Sequence, residues 1–186
     1  MNALIVDATS SKLAVVLIKD ALIFSSIGSQ KAKRHASEIL CVIDDLLTQC
    51  GLHAIELDVV ATITGPGSFT GIRVGVATCN AIAHASKAKR IEITSLESIL
   101  YGIDSGMALL DCNNDNYYAL EKNYGTYNYF AISKSDLDGF KTEKHYITEF
   151  DIDKTIKVFK EKYAKNEFVD VLTPFYIKKS SAEKYE

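Results

Sequence analysis

The densest group of glycines in this sequence lies in the segment TITGPGSFTGIRVG, Thr62 to Gly75. A run of β-branched residues precedes it and a run of small residues follows it, which predicts a strand, a glycine-rich turn and a helix. A helix N-terminus after such a turn is a common anion site, because free N–H groups and the helix dipole point at the ligand. The segment therefore suggests a phosphate site as a first hypothesis.

The spacing of these glycines argues against a nucleotide. A P-loop needs G-x-x-x-x-G-K-[ST], in which a Lys reaches the outer phosphates, and no Lys follows Gly71. A dinucleotide fingerprint needs G-x-G-x-x-G, whereas the series Gly65, Gly67 and Gly71 is one residue too long. Pro66 also removes a backbone donor where a pyrophosphate would lie. The segment matches neither motif.

Two hydroxyl groups and one guanidinium group lie in or beside the loop. Ser68 is not in G-x-S-x-G, and the sequence places no base beside it, so a peptidase is a distant alternative. We interpret Ser68 and Thr70 as candidates for the helix N-cap, where a side-chain oxygen accepts from free N–H groups. Arg73 could bind a carboxylate or a phosphate at an interface, or lie in solvent.

Histidine and cysteine are the other residue types that could bind a metal. The histidines have no H-x-x-x-H spacing and no carboxylate cluster beside them, and the cysteines have no C-x-x-C pair. We therefore expect no metal site, and we expect the cysteines to be small core residues in a reducing compartment. These residues are His35, His53, His84, His145, Cys41, Cys50, Cys79 and Cys112.

The helix predicted after the loop is apolar on more than one side. Gly71, Gly75, Thr78, Ile82 and Ala85 recur at i+4, i+7, i+11 and i+14, which gives one stripe of mostly small residues. A glycine inside a helix costs about 1 kcal/mol relative to Ala, so two of them one turn apart indicate a close backbone approach. The pattern leaves open whether the approaching surface is this chain's own sheet or another chain.

The order of predicted elements places this helix in an α/β fold. Three strand-like runs with short connections, at 3–9, 13–18 and 21–27, predict an antiparallel meander. The following pattern predicts a helix at about 34–50, a strand at 57–64, a helix at about 70–86, a strand at 90–94 and a helix from 95. This order predicts a mixed sheet flanked by helices, the ribonuclease H-like lobe found in actin-like ATPases and sugar kinases.

Asp7 ends the first predicted strand, where actin-like kinases carry an Asp followed by a glycine-containing phosphate turn. The residues that follow here are ATSSK, without a glycine, so the backbone cannot approach a phosphate as closely. We interpret Asp7 as structural or vestigial. An actin-like phosphotransferase or ATPase, with Asp7 and the glycine loop around ATP, is kept as the alternative function.

The composition changes after Gly102. Only Phe24, Phe69 and Tyr101, three of the 18 aromatic residues, precede position 103. Strand-like runs at 107–113, 116–122 and 126–133 and a helical pattern at 153–164 predict a smaller α+β lobe. We therefore predict two domains, an N-terminal lobe at 1–102 and a shortened C-terminal lobe at 103–186.

The bulk composition excludes several classes of protein. The chain has 21 basic and 24 acidic residues and a net charge of −3, so no strong direct binding of nucleic acid is expected. Its longest apolar runs are about six residues, far below the roughly 20 that span a bilayer. No basic region precedes the first apolar stretch, so no secretion signal is predicted. We expect a soluble, cytoplasmic protein that does not bind membranes.

The motifs together carry a family resemblance. GPGSFTGIRVGVAT, with RHASEILCVIDDLL upstream, TSLESI downstream and LIVDAT at the start, resembles the bacterial TsaB (YeaZ) family, and weaker similarity continues in ALLDCNNDNYYAL and TPFYIKKSSAE. The resemblance implies two actin-like lobes and a non-catalytic subunit. That subunit would pair with TsaD, the related protein that transfers the threonylcarbamoyl group to tRNA adenosine, and the small ATPase TsaE would join the pair.

The resemblance also implies which helices meet the partner. In the family, two helices of the first lobe pair with those of TsaD, here the helices that begin near residues 34 and 70. The interface residues expected for TsaD or a homodimer are His35, Ile39, Gly71, Gly75, Thr78 and Ile82, beside the loop and cap residues Gly65, Pro66, Gly67, Ser68, Thr70 and Arg73. We expect no cofactor, tRNA contact mainly through the complex, and homodimers when TsaD is absent.

Overall fold

The computed structural model describes residues 1–28, 34–146 and 151–177. Its first sheet has five strands in the order β3-β2-β1-β4-β5. β2 pairs antiparallel with both β1 and β3, whereas β4 pairs in parallel with both β1 and β5. The predicted meander and mixed sheet are therefore confirmed. The strands are β1 Asn2–Asp7, β2 Ala14–Lys19, β3 Leu22–Ile27, β4 Val59–Gly65 and β5 Lys89–Thr94.

Helices cover both faces of this sheet. The α-helices are α1 His35–Gln49, α2 Phe69–Ser86, α3 Ser95–Ile99 and α4 Ile152–Ala164. Side chains alternate along β1, so Leu4 and Val6 pack with α1 and α2, while Ala3 and Ile5 pack with α4. α2 provides the crossover between the parallel neighbours β4 and β5, and α1 connects β3 to β4, past β2 and β1. The two helices consequently lie side by side on one face of the sheet.

The second sheet contains four strands in the order β8-β7-β6-β9. Its strands are β6 Ser105–Asp111, β7 Asn116–Asn123, β8 Thr126–Ser133 and β9 Lys144–Tyr146. α3 packs on one face through Leu96 and Leu100, and Leu137 and Phe140 pack on the other. The sequence did not predict β9, because three residues are too few to show a period of two.

The last described segment returns to the first sheet. Phe159 of α4 is fully buried among residues of β1, β4 and β5. The N–H of Val169 donates to the carbonyl of Arg90 (3.0 Å), and the N–H of Phe175 donates to that of Thr64 (2.9 Å). Part of the predicted C-terminal lobe thus covers the N-terminal sheet, and the division after residue 102 stays a prediction. The end of TPFYIKKSSAE lies outside the described residues.

One smaller expectation needs correction. Cys50 and Cys79 are buried, but Cys41 is exposed, because it lies on the outward side of α1, and Cys112 is half-buried. The N-cap residue of α3 is Thr94. Across the three described ranges, no helix has the length and apolar character to cross a membrane.

Candidate functional site

The glycine loop packs tightly against the two residues that follow β1. A Cβ added to Gly71 would collide with the carbonyl oxygen of Ala8. A Cβ added to Gly67 would lie 2.8 Å from both the Cβ and the carbonyl oxygen of Thr9. The N–H of Ser68 donates to that carbonyl (2.8 Å). The chain's own backbone therefore fills the space that a phosphate would need. It also engages the N–H of Ser68, one of the donors that a phosphate would need.

The loop is also held on its other sides. Gly65 has φ +126°, a conformation that favours glycine, and a Cβ there would lie 2.6 Å from the carbonyl oxygen of Phe175. The carbonyl of Pro66 accepts from the hydroxyl of Ser95 (2.7 Å). Contacts from β1, α3 and the C-terminal segment thus hold the loop in place.

α2 begins with a side-chain cap. Ser68 is the N-cap residue, and its hydroxyl oxygen accepts from the N–H of Gly71 (3.2 Å). Thr70, the other candidate, is exposed in the first turn. Ser68 therefore contributes to helix stability, and its hydroxyl contacts no described histidine or carboxylate in a hydrogen bond.

Asp7 is buried at the end of β1 and bound within its own loop. Its Oδ1 accepts from the N–H of Thr9 (2.7 Å) and from the Thr9 hydroxyl (2.6 Å). Burial raises the pKa of the Asp7 carboxyl, and the hydrogen bonds from Thr9 offset part of this effect. An Asp held in this way closes the turn that supports Ala8 and Thr9 beneath the glycine loop.

His35 fixes the same turn from the side of α1. It is 1% exposed, and its Nδ1 donates to the carbonyl of Ala8 (3.2 Å). The Nε2 atom is buried without a hydrogen-bond partner among the described residues. α1 begins after Arg34 without a side-chain cap. His35 therefore links α1 to the loop after β1, and the same carbonyl oxygen of Ala8 lies next to Gly71.

A small cavity lies at the carboxyl ends of β1 and β4. Its volume is about 80 Å³, whereas pockets for small-molecule ligands span about 300–1,000 Å³. The wall combines apolar residues with a few hydroxyl and carboxyl groups. The polar residues are Asp7, Thr9, Ser10, Ser95, Ser98 and Asp151. No group of three or more His, Cys, Asp or Glu residues in the described ranges could hold a metal ion.

The inner side of α2 faces this chain's own sheet. Gly75 is buried, and a Cβ there would lie 3.2 Å from Oγ1 of Thr62 and 3.6 Å from Cβ of Ala8. Cys79 is also buried, and burial raises the pKa of its thiol to about 12. Both glycines of the stripe therefore serve the close packing of α2 on β1 and β4.

The described residues leave the outer side of α2 and the adjacent side of α1 uncovered. Leu40 of α1 is 62% exposed, although it is a large apolar residue. Ala77 and Ala81 of α2 are exposed. We use the term helix surface for the exposed or half-buried residues Leu40, Val74, Ala77, Thr78, Ala81 and Ile82.

The structure divides the predicted interface residues into two groups. Thr78 and Ile82 lie on the helix surface, while His35, Ile39, Gly71 and Gly75 are buried beneath it. The sequence prediction did not include the four other residues of the helix surface. For the three of these residues on α2, the signal is the helical period counted from the two glycines, since residues half a turn from a buried glycine face outward.

Arg73 lies at the edge of the helix surface and is held by two aromatic residues. Its guanidinium carbon lies 3.9 Å from the centre of the Phe69 ring, and its Nε donates to the hydroxyl of Tyr176 (3.1 Å). The rings of Phe69 and Tyr176 stack at 5.4 Å. Arg73 therefore joins the start of α2 to the C-terminal segment.

Comparisons with known proteins agree with this architecture. The family model of tRNA N6-adenosine threonylcarbamoyltransferase, TsaD, matches residues 22–170. The tRNA threonylcarbamoyladenosine biosynthesis protein TsaB of Bacillus subtilis is 24% identical over 99 residues, covering 53% of this chain and 43% of the relative. TsaB of Haemophilus influenzae is 30% identical over 98 residues, covering 50% and 42%. The chain thus matches less than half the length of these relatives.

Two solved structures share the fold along almost the whole chain. One is a Pseudomonas aeruginosa protein described as similar to peptidase YEAZ, with a TM-score of 0.77 and 17% identity, covering 95% of this chain and 99% of the other. The other is YeaZ from the same organism, with a TM-score of 0.71 and 16% identity, covering 94% and 99%. The chain belongs to the TsaD family and, within it, to the TsaB (YeaZ) group.

Proposed function

We propose that this protein is a non-catalytic subunit in the biosynthesis of threonylcarbamoyladenosine in tRNA, and that it acts by pairing with a TsaD-like protein. The observation that carries the proposal is the helix surface. It presents an exposed Leu40 and two exposed alanines, Ala77 and Ala81, on two adjacent helices. An uncharged, apolar group of this kind is typical of the core of a protein interface.

Small residues suit this surface to a partner's helices. Helices pack 8–10 Å apart, depending on the side chains at the contact, and alanines permit the shorter distances. Thr78 and Ile82 contribute to the contact directly. The buried residues His35, Ile39, Gly71 and Gly75 act from below, because they set the height and angle at which α1 and α2 lie on the sheet.

The geometry of the glycine loop supports a non-catalytic role. The contacts with Ala8 and Thr9 take the space that a phosphate would occupy, and the cavity of about 80 Å³ is too small for a nucleotide. No observation in the described residues favours the phosphotransferase, ATPase or peptidase alternatives. We propose that the TsaD-like partner supplies the chemistry, that a TsaE-like ATPase joins the pair, and that this chain needs no cofactor.

The wider setting follows from the same proposal. With a net charge of −3, the chain would contact tRNA mainly through the complex, in the cytoplasm. We retain the division into lobes 1–102 and 103–186, with α4 packed back on the first sheet. Homodimers through the helix surface would form when the TsaD-like partner is absent.

The pairing is tested by replacing Ala81 with Arg. A charged side chain at the centre of an apolar contact should weaken binding to the TsaD-like protein of the same organism at least about 100-fold, because its charge would be buried without a partner. The measurement is isothermal titration calorimetry with the two purified proteins. Because Ala81 is exposed, the melting temperature of the variant should stay within about 2 °C of the original.

Ala164→Arg is the matched control. Ala164 is also exposed, but it ends α4 on the opposite face of the sheet. It should bind the partner like the unmodified protein. Undiminished binding by Ala81→Arg, or equal losses in both variants, would remove the helix surface from the interface.

The pathway is tested separately. Depletion of the protein in its own cells should lower threonylcarbamoyladenosine in hydrolysed tRNA, measured by liquid chromatography and mass spectrometry. Re-expression of the original chain should restore the nucleoside, and re-expression of Ala81→Arg should not. An unchanged nucleoside level after depletion would contradict the proposed pathway, whatever the binding data show.

A further inference from the structure

The outer edge of β3 is an open strand edge of the first sheet. β3 pairs with β2 on one side, and no described residue pairs with it on the other. Leu22, Ile23 and Ile27 are 64%, 48% and 56% exposed. The strand LIFSSI contains no charged residue and no proline, which are the usual features that prevent edges from pairing. This edge therefore has the properties of a pairing site.

The backbone groups on this edge can be identified from the pairing with β2. The N–H of Gly28 donates to the carbonyl of Leu13 (2.8 Å), so Gly28 points inward. Inward and outward positions alternate along an antiparallel strand. The N–H and carbonyl groups of Ile23, Ser25 and Ile27 therefore point outward, away from β2.

We propose that a second copy of this chain pairs with this edge, as an antiparallel β3–β3 contact with its twofold axis at Ser25. In this register Ser25 lies opposite Ser25 of the second copy, and Ile23 lies opposite Ile27 twice. All three positions have outward N–H and carbonyl groups, so each pair exchanges two hydrogen bonds. In this register each exposed isoleucine packs beside an isoleucine of the second copy. The two five-stranded sheets then form one continuous sheet of ten strands.

Self-complementarity is the reason to choose a second copy as the occupant. A twofold axis perpendicular to the sheet keeps each side chain on its own face, so only residues of the same face can be opposite each other. Ile23, Ser25 and Ile27 share one face, and the register that centres Ser25 pairs both isoleucines. No charged residue of β3 opposes another, so the contact carries no electrostatic penalty.

The opposite edge of the sheet shows how an edge is covered in this fold. Beside β5, Val169 forms a bridge with Arg90, and the hydroxyl of Thr173 donates to Oε1 of Glu92 (2.9 Å). The C-terminal segment thus occupies that edge. β3 has no equivalent cover among the described residues.

The size of the contact sets its strength. A contact between two six-residue strands buries less than the roughly 800 Å² per partner of a standard interface. Some interfaces of standard size bind with only micromolar affinity, so a smaller one should bind more weakly. The dimer is therefore weak, with a dissociation constant above about 1 µM. The β3 edge and the helix surface use different residues, so this contact does not depend on the pairing with the TsaD-like protein.

The test compares Ser25→Pro with Ser25→Ala by sedimentation equilibrium over a range of concentrations. Both substitutions are made in the full chain carrying Ala81→Arg, because the charge at position 81 prevents the homodimers proposed through the helix surface. The Ala81→Arg chain should itself show a monomer–dimer equilibrium. Proline at position 25 removes the outward N–H without removing a bond to β2, and it should weaken the dimer about tenfold or more. Ser25→Ala keeps the N–H and should dimerise like the Ala81→Arg chain.

Two further results test the surface and the register. A monomeric Ala81→Arg chain at all concentrations would assign self-association to the helix surface and overturn the proposal. In the same Ala81→Arg background, Ile23→Lys and Ile27→Glu should each dimerise weakly alone and recover on mixing, because the mixed dimer has one Lys–Glu pair and one Ile–Ile pair. No recovery on mixing would also overturn the proposal.

Discussion

The two sides of α2 carry residues of similar size for different physical reasons. On the inner side, Gly71 and Gly75 lie so close to the chain's own backbone and side chains that a larger residue has little or no space. On the outer side, Ala77 and Ala81 are equally small but have solvent above them. A stripe of small residues therefore does not by itself identify an interface, and the neighbours of each residue must be known.

The comparison also shows how the inner side can serve the outer one. The carbonyl of Ala8 contacts α2 next to Gly71 and accepts from Nδ1 of His35, the first residue of α1. One backbone group thus fixes the positions of two helices. This carbonyl therefore supports the outer surface that the two helices form together, in addition to the core that they share.

Gly71→Ala is expected to give the largest effect on stability. The added Cβ would collide with the carbonyl oxygen of Ala8 and approach its carbonyl carbon to 2.9 Å. Backbone cannot move aside as a flexible side chain can, so we expect a loss of about 3 kcal/mol in the free energy of unfolding, measured by chemical denaturation.

Two matched substitutions sharpen this first prediction. Gly75→Ala meets only ordinary or slightly tight contacts and gains helix propensity, so its free energy of unfolding should change by less than about 1 kcal/mol. Ala81→Leu on the outer side should change it by less than about 0.5 kcal/mol. Equal effects at all three positions would mean that the two sides of α2 do not differ in packing.

Ser68→Ala is expected to give an intermediate effect. Its hydroxyl oxygen accepts from the N–H of Gly71, so removal leaves that donor without its cap and should cost about 1 kcal/mol. Thr70→Ala, two residues further along and exposed, should cost less than about 0.5 kcal/mol. Thermal unfolding of both variants by circular dichroism is the measurement, and a larger loss at Thr70 would contradict the assignment of the cap.

Much of the fold could be predicted from the sequence, because its signals are local. The meander, α1, α2 and the three longer strands of the second sheet each show a clear period or a clear turn, and their observed bounds differ from the predicted ones by only a few residues. β9 was missed because three residues carry no period. The return of α4 to the first sheet was missed because an amphipathic helix does not specify which sheet it covers.

The candidate site was less predictable, because it depends on contacts between distant residues. The glycine loop matches neither a P-loop nor a dinucleotide fingerprint, and its sequence left an actin-like ATPase open as the alternative. The sequence could not identify Ala8 as the neighbour of Gly71, since that contact joins residues more than 60 positions apart and involves a backbone carbonyl. The exposed side of α2 becomes evident only once this contact fixes which side faces inward.

Asp7→Asn tests the charge beneath the inner side, with the smallest expected effect. Burial raises the pKa of the Asp7 carboxyl above its usual value, so the folded state favours the protonated acid. At a pH below the pKa that Asp7 has in the unfolded state, the protonated acid contributes fully to stability. This contribution is lost as the pH rises through the pKa that Asp7 has in the folded state. The free energy of unfolding should therefore fall slightly with rising pH in this window because of Asp7.

Asparagine removes this dependence without removing the hydrogen bonds, because its Oδ1 can still accept from the N–H and the hydroxyl of Thr9. The variant should melt at a slightly higher temperature than the original at pH 8, and the difference should narrow towards pH 4. Asp45→Asn on the exposed side of α1 is the control and should show no such trend. If Asp7→Asn is instead less stable at pH 8, then the ionised carboxylate is favoured there, and its hydrogen bonds from Thr9 together with its proximity to His35 outweigh the burial. In that case the inner side of the helix pair is held by charge as well as by close packing.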